Sequence, residues 1–373
     1  MPPVPYYGMV ADGIGYIYFE RFVDGCSRDV RRAVVDLKEQ GAKALVIDMR
    51  GNPGGPLSEA VEVTNLFVPR GQKVVYTKGK LASVNSEHYT KKEPLDVDIP
   101  VAVLVDGSTA SSAEIVSGAW QDWDRAVIVG ERTYGKGLVQ MIREVPYHGS
   151  LKVTTSRYYI PSGRCIQAYD YRHLNPDGSA KTLPDSLTKA FKTAGGREVR
   201  DGGGIKPDVV ITPDSLPSIV YDIATSDVLL DYVNHYVQTH AAIAPAGEFS
   251  LTDADYADFV KMVEGSDFTY KRRTEEMMKL LERTARFEGC YEGAKPEFEA
   301  LAAKMKGGVS ADLEVPKNKE EIKSVLESDI VARYYFRRGV VQQQLKADKD
   351  LKTALEILTD TERYASLLKP VKK

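Results

Sequence analysis

The sequence predicts an α/β domain followed by an all-α domain. Between residues 13 and 212, short β-branched runs alternate with helical segments, and most of the glycines lie there. This alternation is typical of a largely parallel sheet flanked by helices. From residue 215 onward, glycine becomes rare and long amphipathic segments dominate. A chain of 373 residues with 43% hydrophobic residues is long enough to bury two cores.

The boundaries follow from these patterns. Residues 1–12 are expected to be an N-terminal remnant or linker, 13–214 the α/β core, and 215–373 a helical domain for packing or dimerisation. In the core, Gly41 is a stop signal for the first helix, and Tyr147-His148-Gly149-Ser150 is a predicted turn. The predicted core elements are strands 15–19, 44–48, 101–105 and 126–129, helices 28–40, 56–66 and one starting near Ser111, and an antiparallel ribbon of 139–145 and 152–160. The predicted helices after the core are 218–240, 270–288, 296–305 and 319–344.

Ser111 and Lys136 are the pair with the clearest chemical meaning. They lie 25 positions apart, the serine where a strand gives way to a helix and the lysine between Gly135 and Gly137. A serine becomes a nucleophile only beside a base, and a lysine acts as a base only after losing its proton. This requires the pKa to fall from about 10.4 to roughly 7–8, which burial of the ammonium could supply. The neighbouring apolar run Ala126–Val129 therefore suggests a lysine drawn into a packed site.

Composition excludes several other classes. The net charge of −3 gives no electrostatic basis for binding nucleic acid. The three cysteines are far apart and lack CxxC pairing, which argues against a zinc site or a disulfide framework. No apolar run reaches membrane-spanning length, and the Met-Pro-Pro-Val-Pro start does not read as a signal peptide. We expect no metal and no cofactor.

Five stretches, taken together, resemble the C-terminal processing peptidases (tail-specific proteases), which are serine peptidases with a Ser–Lys dyad. They keep the order and spacing of that family over roughly residues 13 to 212. The stretches are IDMRGNPGG at 47–55, STASSAEI at 108–115, VGERTYGKGLVQ at 129–140, YYIPSGRCIQ at 158–167 and GGGIKPDVVI at 202–211.

The resemblance implies roles for particular residues. The family's nucleophile falls on Ser111, its lysine on Lys136 and its supporting glutamine on Gln140. The implied core is the α/β spiral shared by crotonases and the caseinolytic protease (ClpP). The implied substrates are unfolded proteins and flexible C-terminal tails.

The residues themselves suggest how an oxyanion would be held. The Ser112 amide lies at a helix start, where backbone donors are unpaired. A second donor is expected from Gly54 or Gly55, because a residue without Cβ lets the backbone approach a substrate closely. The sequence leaves open which of the two glycines donates.

Ordinary explanations remain for several of these residues. Ser108 and Ser112 rival Ser111, and any of the three could be a helix cap. Glu114 is expected to be a first-turn acid favoured by the helix dipole rather than a general base. Asp48 and Arg50 are expected to fix the glycine loop. A Ser–His arrangement with His148 or His173 stays open, whereas the remaining histidines, His88, His235 and His240, do not cluster as metal ligands.

Two other functions stay open: a crotonase-type acyl-CoA enzyme, which shares the paired-amide oxyanion hole, and a non-catalytic peptide-binding or assembly module. The family's members carry a PDZ module and an N-terminal helical region before the core, and residues 1–12 are too few to form either. We therefore expect a fragment of a longer protein that is periplasmic or membrane-associated outside the cytoplasm, with weakened tail selectivity. The helical half is expected to mediate homo-oligomerisation.

Overall fold

In a computed structural model, which describes residues 2–182, 184–213, 215–305 and 307–370, the chain divides into two compact units. The first contains the chain up to Pro213 together with the segment that begins at Asp348. The second is the stretch between them and ends at Ala347. The architecture is a mixed α/β core with a helical domain, as the sequence predicts.

The main sheet of the first unit has the strand order β1-β2-β3-β6-β7-β14. Strand β1 is antiparallel to β2, and every other neighbouring pair is parallel. Strands β3 and β6 are fully buried, as expected for the centre of a parallel sheet. In chain order the strands are β1 (Tyr6–Ala11), β2 (Ile14–Tyr18), β3 (Ala44–Asp48), β4 (Lys73–Gly79), β5 (Ser86–Tyr89), β6 (Val101–Val105), β7 (Val127–Gly130), β8 (Leu138–Val145), β9 (Gly149–Tyr159), β10 (Tyr169–Leu174), β11 (Ala180–Thr182), β12 (Ala190–Lys192), β13 (Glu198–Arg200) and β14 (Val209–Val210).

A second sheet carries the predicted ribbon. Its order is β5-β4-β9-β8, all antiparallel, so β8 is an edge strand that pairs only with β9. The turn between β8 and β9 lies where the sequence places it, because Tyr147 and His148 both adopt positive φ, of 64° and 58°. Lys136 lies two residues before β8, so the edge strand begins beside the predicted base.

The helices repeat the predicted pattern with some changes of boundary. The α1 face formed by Val30, Ala33, Val34 and Leu37 is fully buried, and α2 packs against both α1 and α3. In chain order the helices are α1 (Cys26–Glu39), α2 (Leu57–Thr64), α3 (Ser112–Asp122), α4 (Ser218–Ala224), α5 (Asp227–Thr239), α6 (Asp253–Glu264), α7 (Arg273–Phe287), α8 (Tyr291–Met305), α9 (Val309–Leu313), α10 (Pro316–Gln344), α11 (Lys349–Thr359) and α12 (Thr361–Leu367).

Two predicted helices of the second unit are interrupted. The segment 218–240 divides into α4 and α5, because the Ser226 side chain caps a new helix by accepting from the Leu229 amide. Helix α10 covers the predicted segment 319–344 but contains a kink at Phe336, whose φ of 54° and ψ of −162° are not helical. The second unit has its own apolar core, in which Tyr256, Phe259 and Leu326 are buried.

Two boundaries from the sequence differ from the structure. Residues 6–11 form strand β1 of the main sheet and are not a linker, because they pair in register with β2. The segment from Asp348 to residue 370 belongs to the first unit and not to the helical domain. The cause is the apolar face of α11, which is buried against β3, β6 and β7 through Leu351, Ala354 and Ile357.

Candidate active site

Ser111 lies at the turn from β6 into α3, in a backbone conformation that few residues adopt. Its φ is 57° and its ψ is −117°, outside the helical and extended regions. Such a conformation costs on the order of 1–3 kcal/mol and persists only where the surroundings impose it. The side chain is half-buried, whereas neighbouring Ser112 is buried and its hydroxyl donates to the Gly55 carbonyl at 2.7 Å. This strand–turn–helix geometry separates Ser111 from its rivals.

A buried carboxylate connects the backbone of Ser111 to that of Lys136. The Glu114 side chain is 0% exposed and accepts four hydrogen bonds. Its Oε2 accepts from the amides of Ser111 at 2.8 Å and Lys136 at 2.9 Å. Its Oε1 accepts from the Thr133 hydroxyl at 2.6 Å and the Gly135 amide at 2.7 Å. Burial raises the pKa of Glu114, and the four donors act in the opposite direction.

The segment 166–168 holds the lysine loop from its other side. The Gln167 side chain accepts from the Gly137 amide at 2.8 Å, and the Ala168 amide donates to the Gly135 carbonyl at 3.0 Å. A Cβ on Gly135, whose φ is +83°, would lie 2.3 Å from the Ala168 Cβ. The loop therefore needs glycine on both sides of Lys136, which explains the Gly-Lys-Gly pattern in physical terms.

Tyr158 adds a contact to the lysine loop. Its hydroxyl donates to the Lys136 carbonyl. The ring is buried, and burial raises the pKa of its hydroxyl well above the ordinary value. Tyr158 therefore remains a neutral donor at any physiological pH.

The side chains of Lys136 and Gln140 lie elsewhere than the sequence suggests. Lys136 is exposed, so the expectation that it is drawn into a packed site is wrong for this structure. Its backbone is fixed by Glu114 and Tyr158, but its ammonium has no hydrogen-bond or ion-pair partner within the described ranges. Gln140 is exposed on β8, and its amide is 3.5 Å from the Thr154 hydroxyl of β9. The structure thus brings together the backbones of Ser111 and Lys136, and it leaves Gln140 on the ribbon.

The glycine loop lies against the start of α3. A Cβ on Gly54, whose φ is +84°, would be 2.7 Å from both the Ser111 Cβ and the Ser112 amide nitrogen. The Gly54 amide already donates to the Asn52 side chain at 2.9 Å, and Gly54 is buried. Gly55 is exposed, and neither its amide nor that of Ser112 has an acceptor among the residues that the structure describes.

Residues around the loop fix it to the sheet. The Asn52 carbonyl accepts from the Ala110 amide at 2.9 Å, which joins the glycine loop to the serine loop. Asp48 and Arg50 hold the loop base, as the sequence predicts: the Arg50 amide and guanidinium both donate to the Asp48 carboxylate.

Comparison with known families finds matches over both halves of the chain. Residues 13–180 match the family model described as peptidase family S41, and residues 219–358 match the one described as "Probable PDZ-protease, C-terminal helical domain". The resemblance to the C-terminal processing peptidases is thereby confirmed.

Curated relatives match the S41 region at moderate identity. A carboxy-terminal-processing protease of Bartonella bacilliformis is 35% identical over 196 residues, which cover 51% of this chain and 44% of the relative. A carboxyl-terminal-processing protease of Synechocystis sp. is 37% identical over 148 residues, 40% of this chain and 34% of the relative. The chain thus spans less than half the length of these relatives.

Among solved structures, a photosystem II D1 C-terminal processing protease superimposes with a TM-score of 0.41 at 27% identity, covering 55% of this chain and 44% of that one. Superposition at this level is too loose to compare the two sites in detail. The similarity to family S41 rests on the sequence matches.

Other candidate residues have no contact with the Ser111 and Lys136 loops among the described hydrogen bonds. His148 is in the exposed turn at the far end of the ribbon, and His173 pairs with Asp170 at 2.8 Å. Within the described part of the chain, no group of three or more His, Cys, Asp or Glu side chains is arranged to hold a metal ion. Nor is any helix there both long enough and apolar enough to cross a bilayer.

Sequence reasoning missed three residues of the candidate site. It treated Glu114 as a first-turn acid, which is true of its position but omits the bonds to the lysine loop. It gave no role to Tyr158 or Gln167, although both lie in the YYIPSGRCIQ stretch. Their presence in that stretch was the available signal; their partners depend on tertiary contacts.

Proposed function

We propose that this protein is a serine endopeptidase that cleaves unfolded segments and flexible tails of proteins through Ser111 and Lys136. The observation that carries the proposal is the pair of Glu114 hydrogen bonds, which hold the amides of Ser111 and Lys136 on one oxygen. A strained serine at a helix start, fixed to the backbone of a lysine in a glycine-flanked loop, is an arrangement suited to acyl transfer.

The reaction follows from these groups. Lys136, as the neutral amine, takes the proton of the Ser111 hydroxyl while Oγ attacks the carbonyl carbon of the scissile peptide bond. The resulting ammonium then gives its proton to the leaving amine. Water, deprotonated by the regenerated amine, attacks the ester and releases the acyl group from Ser111. Lys136 thus serves as base and then as acid in each half of the cycle.

The oxyanion is assigned to the amides of Ser112 and Gly55. Both lack an acceptor among the described residues, and the Ser112 amide lies at the N-terminus of an 11-residue helix whose dipole favours negative charge. Gly54 is the weaker candidate, because its amide donates to Asn52. The role of Gly54 is instead to let the loop approach Ser111 without a Cβ.

Because Lys136 is exposed, a bound substrate would itself form one wall of the site around its ammonium. A peptide adding to the free edge of β8 would run beside Lys136 and cover it. Loss of water around an ammonium disfavours its charged form, so substrate binding would itself favour the base. An extended segment can pair in this way and a compact domain cannot, which is the basis for the preference for flexible C-terminal tails. Gln140 on the same strand would then contact the amine or the peptide.

Self-association is assigned to α7 of the helical domain. This helix exposes Met277, Leu280 and Leu281 at helical spacing, 51%, 43% and 52% exposed. Its first turn is acidic and its last turn basic, with Glu275 at one end and Arg286 at the other. Antiparallel packing of α7 on a second copy would cover the apolar stripe and bring opposite charges together.

The remaining finer expectations rest on the family. A crotonase/ClpP-like spiral is our interpretation of the β2-β3-β6-β7-β14 sheet and its helices, and an extracytoplasmic location is carried over from the resemblance. Fractionation of cells that express the full-length protein tests the location. A crotonase-type acyl-CoA enzyme and a non-catalytic binding module are less favoured, because neither needs the Ser111–Glu114–Lys136 connection.

The central experiment combines labelling and cleavage. A fluorophosphonate should add one label, mapped to Ser111, and Ser111→Ala should lose both the label and the cleavage of an unfolded protein. Ser108→Ala, an exposed serine in the same loop, is the control and should keep both. Lys136→Ala and Lys136→Arg should be inactive, since arginine does not deprotonate, whereas Lys152→Ala on the ribbon should be active. Full cleavage by Ser111→Ala, or saturable binding of an acyl-CoA with no labelling, would overturn the proposal.

A further inference from the structure

Arg50, at the base of the glycine loop, connects two segments that are about 300 residues apart in sequence. Its guanidinium donates to Asp48 through two nitrogens, at 3.0 and 2.6 Å, and to both Asp348 oxygens at 2.5 and 3.1 Å. It also donates to Asp350 at 3.1 Å. Three carboxylates thus surround one guanidinium, and two of them come from the segment that begins at Asp348.

We propose that Asp348 and Asp350 are positioning residues of the active site, which hold the glycine loop in place through Arg50. This inference rests on the proposed function for its catalytic meaning, because the loop matters only if Gly55 supplies an oxyanion donor. Its structural content, that the last helices fix the loop, stands independently of the reaction.

The loop depends on external anchors because it is built from residues that stabilise little by themselves. Four of the six residues in Arg50-Gly51-Asn52-Pro53-Gly54-Gly55 are glycine or asparagine beside one proline, and glycine gains no side-chain packing. Its amides are held by Asp106 at Gly51, 3.0 Å, and by Asn52 at Gly54, 2.9 Å. Arg50 is the one long side chain of this loop and lies at its N-terminal end. Bidentate contact with a carboxylate fixes both the position and the plane of its guanidinium.

The segment that carries Asp348 is itself firmly packed. Asp348 caps α11 by accepting from the Leu351 amide at 2.9 Å, so one side chain starts the helix and holds Arg50. Farther along, the Tyr364 hydroxyl accepts from the Val101 amide at 3.0 Å, next to the centre of the main sheet. Movement of this segment would therefore be transmitted to Arg50 and the loop.

The ion pairs of Arg50 with Asp48 and Asp348 are shielded from water. The side chains of Asp48 and Asp348 are 2% and 9% exposed, so little water competes for the guanidinium. Burial raises the pKa of Asp350, Arg50 lowers it, and Asp348 and Asp48 raise it further. Removing the two outer carboxylates leaves Arg50 with Asp48 alone.

The test compares the double variant Asp348→Asn/Asp350→Asn with Asp360→Asn. Asparagine keeps the helix cap but removes the charge, and Asp360 caps α12 in the same way, by accepting from the Arg363 amide at 2.9 Å, without contacting Arg50. We expect the double variant to lower kcat on the order of tenfold with little change in KM, the loss expected for a charged hydrogen bond. Asp360→Asn should match the parent.

A second readout does not depend on catalysis. Hydrogen exchange at the hydrogen-bonded amides of Gly51, Asn52 and Gly54 should accelerate on the order of tenfold in the double variant and stay unchanged in Asp360→Asn. If the parent cleaves nothing, the proposed function fails, and exchange alone decides this inference. Parental exchange at these amides in the double variant, with the chain folded by circular dichroism, overturns the positioning role in either case.

Discussion

Replacement of Glu114 by glutamine is the most informative perturbation of the proposed site. The change keeps the size of the side chain but leaves one acceptor oxygen where the carboxylate has two. The carboxylate accepts Thr133 and Gly135 on one oxygen and Ser111 and Lys136 on the other. The new NH₂ group must therefore face one of these two pairs of donors.

The cost follows from which pair loses its oxygen. If the NH₂ faces the amides of Ser111 and Lys136, two buried N–H groups are unsatisfied, at about 1–3 kcal/mol each. If it faces Thr133, the hydroxyl can rotate to accept, and only the Gly135 amide is left unpaired. The second arrangement is cheaper, so we expect destabilisation of about 1–3 kcal/mol. The first arrangement releases the amides of Ser111 and Lys136, and the second releases the amide of Gly135, next to Lys136.

The assay is the rate of Ser111 labelling by a fluorophosphonate, measured beside urea unfolding. Glu114→Gln should label more than tenfold slower under conditions where the variant is fully folded, because the Gly135 amide next to Lys136 loses its acceptor and the lysine loop is held less firmly. Glu59→Gln is the matched control. Glu59 also accepts two backbone amides, those of Gly25 and Ser27, both at 2.9 Å, at the start of α1.

The two variants separate stability from positioning. Both should shift the urea midpoint, and only Glu114→Gln should slow labelling. A parental labelling rate in folded Glu114→Gln would refute the reasoning, and so would an equal loss in Glu59→Gln.

Three further predictions address the glycine loop, the buried acid and the assembly surface. Gly54→Ala should lower the thermal midpoint and abolish labelling, because the new Cβ would lie 2.7 Å from backbone atoms. Gly51→Ala is the control: its Cβ would meet nothing within 4 Å, so it should cost only the strain of a positive φ, about 1 kcal/mol. Equal behaviour of the two variants would contradict the close approach at Gly54. Because burial raises the folded-state pKa of Glu114, this carboxyl keeps its proton to a higher pH in the folded protein than in the unfolded chain. The protonated carboxyl therefore contributes to the free energy of unfolding below about pH 4.3, and this contribution is lost as pH rises through the folded-state pKa. The parent should therefore lose stability relative to Glu114→Gln as pH rises from about 4 toward 7 in urea titrations, and a constant difference would argue against a raised pKa. Leu281→Glu should shift sedimentation toward the monomer. Leu187→Glu should not, although Leu187 of the first unit is the more exposed leucine, at 68% against 52%. A parent that is already monomeric removes the assembly proposal.

Much of the α/β core could be predicted from sequence because its signals are local. Buried strands such as 44–48 and 101–105 are short continuous apolar runs, and their bounds in the structure are the predicted ones. The turn at Tyr147 and His148 was also readable, since glycine and polar residues follow an alternating strand. Residues 6–11 carry a weaker pattern, and their place in the sheet depends on pairing with β2 rather than on their own periodicity.

The positions of the site residues were predictable only in part. The turn at Ser111 and the glycine contacts follow from motif and spacing, and the structure agrees with them. The burial of Lys136 was inferred from the strand before it, but burial of a strand does not determine where a side chain four or more residues later lies. The hydrogen bonds of Glu114 to Thr133, of Tyr158 to Lys136 and of Asp348 to Arg50 join residues that are 19 to 298 positions apart in the sequence. No local pattern encodes such pairs.

The interrupted first unit also has a consequence for the order of folding. Its sheet is complete once residue 213 has been made, yet α11 and the carboxylates for Arg50 follow only after the whole helical unit, from residue 348. At roughly 5–20 residues per second, synthesis of the 134 residues between them takes about 7–27 seconds. During this interval the nascent chain holds Ser111 and Lys136 but lacks the segment that fixes the glycine loop. A protease assembled in this order would reach full activity only after the segment from residue 348 has been made, which spares the unfolded chain around it until then.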